Sequence, residues 1–276
     1  MAVEMLSYIE RESVVHRLSG VTKLIIFLLW STAAMLTYDT RVLAFLLVLS
    51  LSVFAVSKIQ LKDVAFVLYF ILLFLLLNNL AIYLFSPQQG VDVYGTKHVL
   101  FELIGRYNLT WEQVFYQFNV TLKYLVVIPA ALLFLVTTHP SEFASSLNKI
   151  GISYKIAFAV SLAFRYIPDI QRDFRTISQA QQARGIDLSK NEKVGKRIKN
   201  AAAIIMPLIL SSLDRIEVIS NAMELRGFGK GKKRTWYSQK PFHRADWIVL
   251  ITGIVLFTLA MIITFSNGSR FYNPFR

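Results

Sequence analysis

The chain has 276 residues and a mean hydropathy of +0.49, with 55% hydrophobic and 17% charged residues. This composition is too apolar for an ordinary water-soluble domain and favours an integral membrane protein. The chain has 30 lysines and arginines and 17 acidic residues, and the resulting net charge of +13 favours acidic partners or anionic lipid headgroups. The lack of cysteine excludes disulfides, thiolate metal sites and cysteine nucleophiles.

Acidic and basic residues precede the first apolar run, which differs from the short basic start of a cleaved signal peptide. We therefore expect the N-terminus to be retained. Residues 24–37 and 42–57 are almost purely apolar, and Tyr38-Asp39-Thr40-Arg41 separates them. One helix over both runs would measure about 51 Å, against a hydrocarbon core of about 30 Å, so two short spans are predicted.

Three later apolar runs are each long enough to cross a membrane alone, which makes five predicted spans: 64–85, 118–138 and 247–265. The predicted fold is therefore an all-α integral membrane protein. Its organisation is a membrane region at 1–138, a cytoplasmic unit of long amphipathic helices at 139–245 and a last span within 246–276. With the N-terminus inside, the cytoplasmic parts hold 24 of the 30 lysines and arginines. The positive-inside rule favours this orientation.

The unit at 139–245 carries two apolar stripes with alternating steps of four and three, and each predicts a long helix. The first helix should end at Gly185 and the second at Gly227. Pro168 predicts a kink or a break near Tyr166. We expect the stripes chiefly to bury each other, with some surface left for a partner. Their members are Ile156, Val160, Ala163, Ile167, Ile170, Phe174 and Ile177, then Ile198, Ala202, Ile205, Ile209, Ser212, Ile216, Ile219 and Met223.

Both helix ends carry the pattern Ala-x-x-x-Arg-Gly, with Arg184 and Arg226 placed 42 residues apart. A single copy is as well explained by an arginine that complements the helix dipole and a glycine that caps the helix. Two copies at equivalent stripe positions favour a shared docking role. The planar guanidinium suits a partner's carboxylate or backbone carbonyls better than lysine does.

At this point the sequence resembles a known family, the transmembrane T component of energy-coupling factor transporters, the vitamin and micronutrient importers of prokaryotes. Four strings carry the resemblance, and the order of four spans, a cytoplasmic unit and a final span also agrees. One departure is Leu225, where the family's short motif is often Ala-Arg-Gly. The strings are Gln182-Ala183-Arg184-Gly185, Glu224-Leu225-Arg226-Gly227-Phe228-Gly229, Thr138-His139-Pro140-Ser141-Glu142 and Phe164-Arg165-Tyr166-Ile167-Pro168.

The resemblance implies a non-catalytic coupling scaffold in the cell membrane that binds no cofactor or metal, while two partner ATP-binding cassette ATPases bind ATP and Mg²⁺. It implies that one arginine tip docks on each ATPase and that a small membrane S component, which binds the vitamin, packs against the coupling helices. The docking residues are expected to be Ala183, Arg184, Gly185, Leu225, Arg226 and Gly227. The expected S-component contacts are Phe174, Ile177, Ile209 and Ile216.

The residues themselves agree with a chain that does not hydrolyse ATP, because the sequence has no Gly-x-x-x-x-Gly-Lys-Ser/Thr loop. The basic string Lys232-Lys233-Arg234 predicts contact with anionic lipid. Inside the spans, Asn78 and Asn79 are expected to bridge helices, and Lys123 is expected to extend toward the outer surface.

Three other functions compete with the scaffold. A conventional ABC permease docks its ATPase through an acidic-Ala-Ala loop and a following glycine, which Glu142-Phe143-Ala144 and Gly151 match poorly in spacing. A membrane transferase would need clustered acidic ligands, but Asp169, Asp173 and Asp187 do not share one helix face. Arginine neighbours, Arg172 and Arg175, are simpler partners for the first two aspartates. Nucleic-acid binding is disfavoured because exposed aromatic residues do not alternate with the basic ones.

Overall fold

A computed structural model describes residues 11, 13–101, 107–186, 194–231, 235–237, 240–266 and 270–275. The described residues form ten helices and one two-stranded antiparallel hairpin, so the all-α prediction is confirmed apart from that hairpin. In chain order the elements are α1 (Val14–Arg17), α2 (Gly20–Leu36), α3 (Thr40–Val56), α4 (Leu61–Phe85), α5 (Gln89–Tyr94), β1 (Val99–Phe101), β2 (Leu109–Thr110), α6 (Trp111–Thr137), α7 (Pro140–Lys149), α8 (Tyr154–Ala183), α9 (Val194–Leu225) and α10 (Arg244–Ser266).

Three of these helices, α4, α6 and α10, are long and apolar enough to span a membrane, and α2 and α3 are apolar helices of 17 residues each. The predicted pair of short helices is confirmed. Asp39 lies between them and caps α3 by accepting a hydrogen bond from the Arg41 N–H. Helix α6, which contains the fourth predicted span, begins at Trp111, seven residues before the predicted start at residue 118. Thr110 caps it by accepting from the Gln113 N–H at 3.2 Å, and the helix continues through Pro129.

Helices α2 and α6 are antiparallel, and a lysine from each one caps the C-terminal end of the other. Lys23 Nζ donates to the Thr137 carbonyl at 2.7 Å, and Lys123 Nζ donates to the Met35 carbonyl at 2.9 Å. Carbonyls in a last helical turn lack helical partners, so each lysine satisfies an acceptor that would otherwise have no helical partner. Lys123 is 5% exposed, so its charged end is buried among the helices and does not reach the outer surface as expected. Its Nζ is also 3.0 Å from the centroid of the Tyr38 ring.

Two carboxylates hold the N-terminal end of α2. Glu142 Oε1 accepts from the Gly20 N–H at 2.7 Å, and Asp246 Oδ1 accepts from the Ser19 N–H at 2.8 Å. Lys240 Nζ lies 3.2 Å from Glu142 Oε2 and neutralises that buried carboxylate. Since the N-terminal end of a helix is positive, acidic side chains are favoured there. The contacts join α2 to residues that are more than 100 positions away in the chain.

Helix α6 is central among the membrane helices and packs against α2, α3, α4 and α5. Asn79 joins α4 to α6 by donating to Thr121 Oγ1 at 3.1 Å, so the predicted helix-bridging role is confirmed for Asn79. The main apolar cluster contains small residues that let the helices approach closely. Its members are Ala33, Ala34, Val42, Leu43, Leu46, Leu122, Val126 and Ala260.

The chain divides into two compact units. One comprises Met1–Glu142 and Lys240–Arg276, with the membrane helices, and the other comprises Phe143–Gln239, with α8 and α9. The second unit contains both Arg-Gly strings and all four expected S-component contacts.

Candidate functional site

The two long helices of the second unit, α8 and α9, have 30 and 32 residues. Each contains an internal proline, Pro168 or Pro207, and each continues through it. The break considered near Tyr166 therefore does not occur. At a helical rise of about 1.5 Å per residue, each helix is about 45 Å long.

Both helices end in the same hydrogen-bond pattern, a Schellman motif. At the end of α8, the Gly185 N–H donates to the Gln182 carbonyl at 2.9 Å and the Ile186 N–H donates to the Gln181 carbonyl at 3.0 Å. The end of α9 repeats these contacts, from Gly227 N–H to Glu224 at 2.8 Å and from Phe228 N–H to Met223 at 2.9 Å. These are the two bonds that define the motif.

Glycine follows each arginine because the backbone turns into the left-handed region there. The φ angles of Gly185 and Gly227 are +84° and +67°, where a Cβ atom would be strained. The predicted helix ends at these two glycines are thus confirmed. Arg184 and Arg226 are the last residues before the reversal, and both are exposed. We call the two sites, 183–185 and 225–227, the arginine tips.

The tips share an exposed apolar side chain before the arginine, and the end of α9 has one further contact. Leu225 is 89% exposed, and Ala183 is exposed at the equivalent position, so neither apolar side chain is used for packing within the chain. After Gly227, the Phe228 ring packs against Phe158 with centroids 4.7 Å apart. This contact holds the end of α9 against the first turns of α8.

Helices α8 and α9 run antiparallel, as contacts at three levels show. Gln181 Nε2 donates to the Ala203 carbonyl at 3.1 Å at one end, and Phe158 meets Phe228 at the other. Between them, Arg215 Nη2 donates to Asp173 Oδ2 at 2.5 Å. The arginine tips therefore lie at opposite ends of the helix pair, separated by about 33 Å along its axis.

The apolar stripes do not bury each other, contrary to the expectation from periodicity. Ile156 is 58% exposed, Ile198 is 67% exposed, and among the described residues of both helices the buried ones are Tyr154, Ala157, Ser178 and Ile204. Antiparallel packing here uses a narrow line of contacts, so most of each stripe lies outside it. A large apolar surface on this unit is open to a partner.

The four expected S-component contacts fall on this surface to different extents. Phe174, Ile209 and Ile216 are 45%, 46% and 60% exposed, while Ile177 is half-buried. Ile216 also lines a cavity of about 310 Å³ between α8 and α9.

Two aspartates of this unit form ion pairs. One pair is the expected one, and the partner of Asp173 is not. Asp169 Oδ1 lies 3.7 Å from Arg172 Nη2, as expected. Asp173 pairs with Arg215 on the other helix instead of with Arg172 or Arg175. Sequence reasoning missed this pair, although Asp173 and Arg215 are separated by the same 42 residues as the two tips. Asp187 and the string Lys232-Lys233-Arg234 lie outside the described residues.

The string that weakly matched a permease docking loop is not available for docking. Glu142 is 4% exposed and holds the end of α2, and Ala144 is fully buried. An acidic loop that binds an ATPase has to present these residues at the surface.

Comparison with known proteins decides between the remaining alternatives. A family model described as "Cobalt transport protein" (CbiQ) matches residues 11–237, which include both helices and both arginine tips. The chain belongs to this family.

Curated relatives with the name "energy-coupling factor transporter transmembrane protein EcfT" match nearly the whole chain. The protein from Exiguobacterium sibiricum is 28% identical over 262 residues, covering 92% of this chain and 94% of the relative. The protein from Lactococcus lactis subsp. cremoris is 26% identical over 265 residues, covering 93% and 95%. The protein from Bacillus subtilis is 25% identical over 264 residues, covering 91% and 94%.

These matches confirm the resemblance to the T component, and the chain is a transmembrane component of an energy-coupling factor transporter. They favour this function over a conventional permease and over a membrane transferase.

Proposed function

We propose that the chain is the coupling scaffold of a vitamin or micronutrient importer and that each arginine tip docks on one of two ATP-binding cassette ATPases. The observation that carries the proposal is the identical capping of Arg184 and Arg226 at opposite ends of one antiparallel helix pair. Two equivalent tips suit two similar partner subunits, each with a groove for one helix end. Ala183, Gly185, Leu225 and Gly227 complete the docking surfaces.

Arginine suits this role because its guanidinium forms paired hydrogen bonds with carboxylates or backbone carbonyls. The exposed Leu225 and Ala183 add an apolar contact beside each arginine. We infer that ATP and Mg²⁺ are bound by the partner ATPases and that this chain contributes no catalytic residue. Movement of the ATPases would then reach the membrane through α8 and α9.

The exposed apolar surface of α8 and α9 supports a second partner, a membrane S component that binds the vitamin. Its contacts would include Phe174, Ile177, Ile209 and Ile216, three of which are strongly exposed. The charge distribution supports an orientation with the N-terminus and the coupling helices in the cytoplasm of a prokaryotic cell, where anionic lipid contacts the basic segments.

The docking proposal predicts that Arg184→Ala and Arg226→Ala each reduce recovery of the ATPase subunits in a mild-detergent pull-down. Charged hydrogen bonds contribute about 1.5–3 kcal/mol each, so we expect roughly a tenfold to hundredfold weaker association for each tip. The double variant should lose the ATPases and still insert in the membrane.

Arg172→Ala is the matched control, because Arg172 is a 77% exposed arginine on the same helix but away from the tip. It should recover the ATPases as the wild type does. Full recovery of both ATPases with the Arg184/Arg226 double variant would contradict the docking proposal.

A further inference from the structure

The 42-residue repeat extends well beyond the Arg-Gly strings. Ile177-Ser178 and Ile219-Ser220 are identical at equivalent positions. Five residues earlier, Arg172-Asp173 is equivalent to Asp214-Arg215, so the two charges occur in reversed order. A charge-reversed repeat makes equivalent positions complementary when the two copies face each other.

The structure brings one such complementary pair into contact. Asp173 on α8 and Arg215 on α9 occupy equivalent positions in the repeat, and Arg215 Nη2 donates to Asp173 Oδ2 at 2.5 Å. About a third of each side chain is exposed. An ion pair that is this far withdrawn from water is screened less than a surface pair.

The pair lies midway between the arginine tips. Asp173 precedes Arg184 by the same eleven residues by which Arg215 precedes Arg226. Because α8 and α9 are antiparallel, each tip is about 16 Å from the ion pair along the helix axis, on opposite sides. Any slip of one helix against the other that breaks the pair also changes the distance between the tips.

Apolar packing near the pair is weak. A cavity of about 310 Å³ lies beside it, lined by Tyr166, Ile170, Ser212 and Ile219 among others, and Arg215 forms part of its wall. The apolar side chains of the helix pair are mostly exposed, so they provide little resistance to sliding. Among the described side chains at this level, Arg215 joins the helices through the ion pair with Asp173 and through its guanidinium 6.0 Å from the centroid of the Tyr166 ring.

We propose that Asp173 and Arg215 are positioning residues whose ion pair fixes the alignment of α8 and α9 and so sets the distance between the arginine tips. This inference rests on the proposed docking function. Two tips at a fixed distance bind a paired partner as a bivalent ligand, and the second contact is then favoured by a high effective concentration. A variable distance would lower that effective concentration.

The test measures the distance between the tips with spin labels. Since the chain has no cysteine, Gln182→Cys and Glu224→Cys place labels specifically, at equivalent exposed positions two residues before each arginine. Double electron–electron resonance on the purified full chain should give one narrow distance peak. Asp173→Asn or Arg215→Met should lose that narrow peak, and each should lower ATPase recovery about tenfold or more through lost bivalency.

The charge-swapped double variant, Asp173→Arg with Arg215→Asp, separates positioning from simple destabilisation. The reversed repeat predicts that the swap restores both the narrow peak and ATPase recovery. Asp169→Asn is the matched control, because it removes an exposed ion pair with Arg172 that lies within one helix. It should leave the distance unchanged.

An unchanged peak in Asp173→Asn and Arg215→Met would overturn the inference, and so would a swap that fails to restore the peak. Failure of the docking function looks different. In that case the Arg184/Arg226 double alanine variant keeps its ATPases, whatever the label distances are.

Discussion

Lys123 lies within an apolar helix, and its contacts explain why a lysine is stable there. It donates to the Met35 carbonyl at the end of α2 and packs over the Tyr38 ring. Residue type and spacing alone suggested a side chain that extends toward the outer surface. The observed partner belongs to a helix that is 88 positions away in the chain.

Lys123→Met should destabilise the protein by about 1–3 kcal/mol, because it leaves the Met35 carbonyl without its side-chain donor in an apolar environment. The thermal midpoint of the purified protein, followed by tryptophan fluorescence, should fall. Lys97→Met is the control, since Lys97 is exposed between α5 and β1. Equal midpoints for Lys123→Met and the wild type would refute the capping role.

At the scale of the element, the two ends of α8 and α9 show how closely sequence and local structure agree. A glycine after the last apolar position predicted each helix end, and both ends have the Schellman hydrogen bonds and a positive φ. The capping pattern depends on neighbouring residues only. The arginine before each glycine is therefore presented in the same way on both helices.

Gly185→Val and Gly227→Val should displace the arginine tips, because a β-branched residue is strained by about 1–2 kcal/mol at positive φ. We expect lower ATPase recovery in the pull-down, with helix content by circular dichroism close to the wild type. Asparagine tolerates this backbone region, so Gly185→Asn and Gly227→Asn are the matched controls and should recover more ATPase. If valine and asparagine variants recover the ATPases equally, the backbone conformation of the tips is unimportant for docking.

At the scale of the whole molecule, charge separates the two units. The unit Phe143–Gln239 holds 17 lysines and arginines against seven acidic residues, and the other unit contains the apolar membrane helices. The positive-inside rule supports the proposed orientation, with the basic unit in the cytoplasm and the segment between α4 and α6 outside. The absence of cysteine makes this orientation directly testable.

A single cysteine at Lys97 should react with a membrane-impermeant maleimide on intact cells, because Lys97 lies between α4 and α6. A single cysteine at Lys199, exposed on α9, should react only after the cells are permeabilised. Labelling of the Lys199→Cys variant on intact cells, with the Lys97→Cys variant protected, would reverse the proposed orientation.

Local sequence patterns were sufficient to predict the two helices before α4, the glycine-capped ends of α8 and α9, and the family resemblance. Helix length, apolar runs and terminators act over a few residues, so they are readable without a fold. The start of α6 was misplaced because Thr110 caps it earlier than the apolar run begins. Pro168 does not break α8, because a long helix retains most of its hydrogen bonds around one proline.

Contacts between distant segments were decided by the tertiary structure. The partner of Lys123, the choice of Arg215 over Arg175 for Asp173 and the exposure of the apolar stripes all depend on which helices meet and in what alignment. Periodicity states that a helix has an apolar face, but it does not state what covers that face. The 42-residue repeat was present in the sequence, and it became a geometric relation once α8 and α9 were seen to be antiparallel. That arrangement places the ion pair between the arginine tips, a relation that spacing along one chain cannot express.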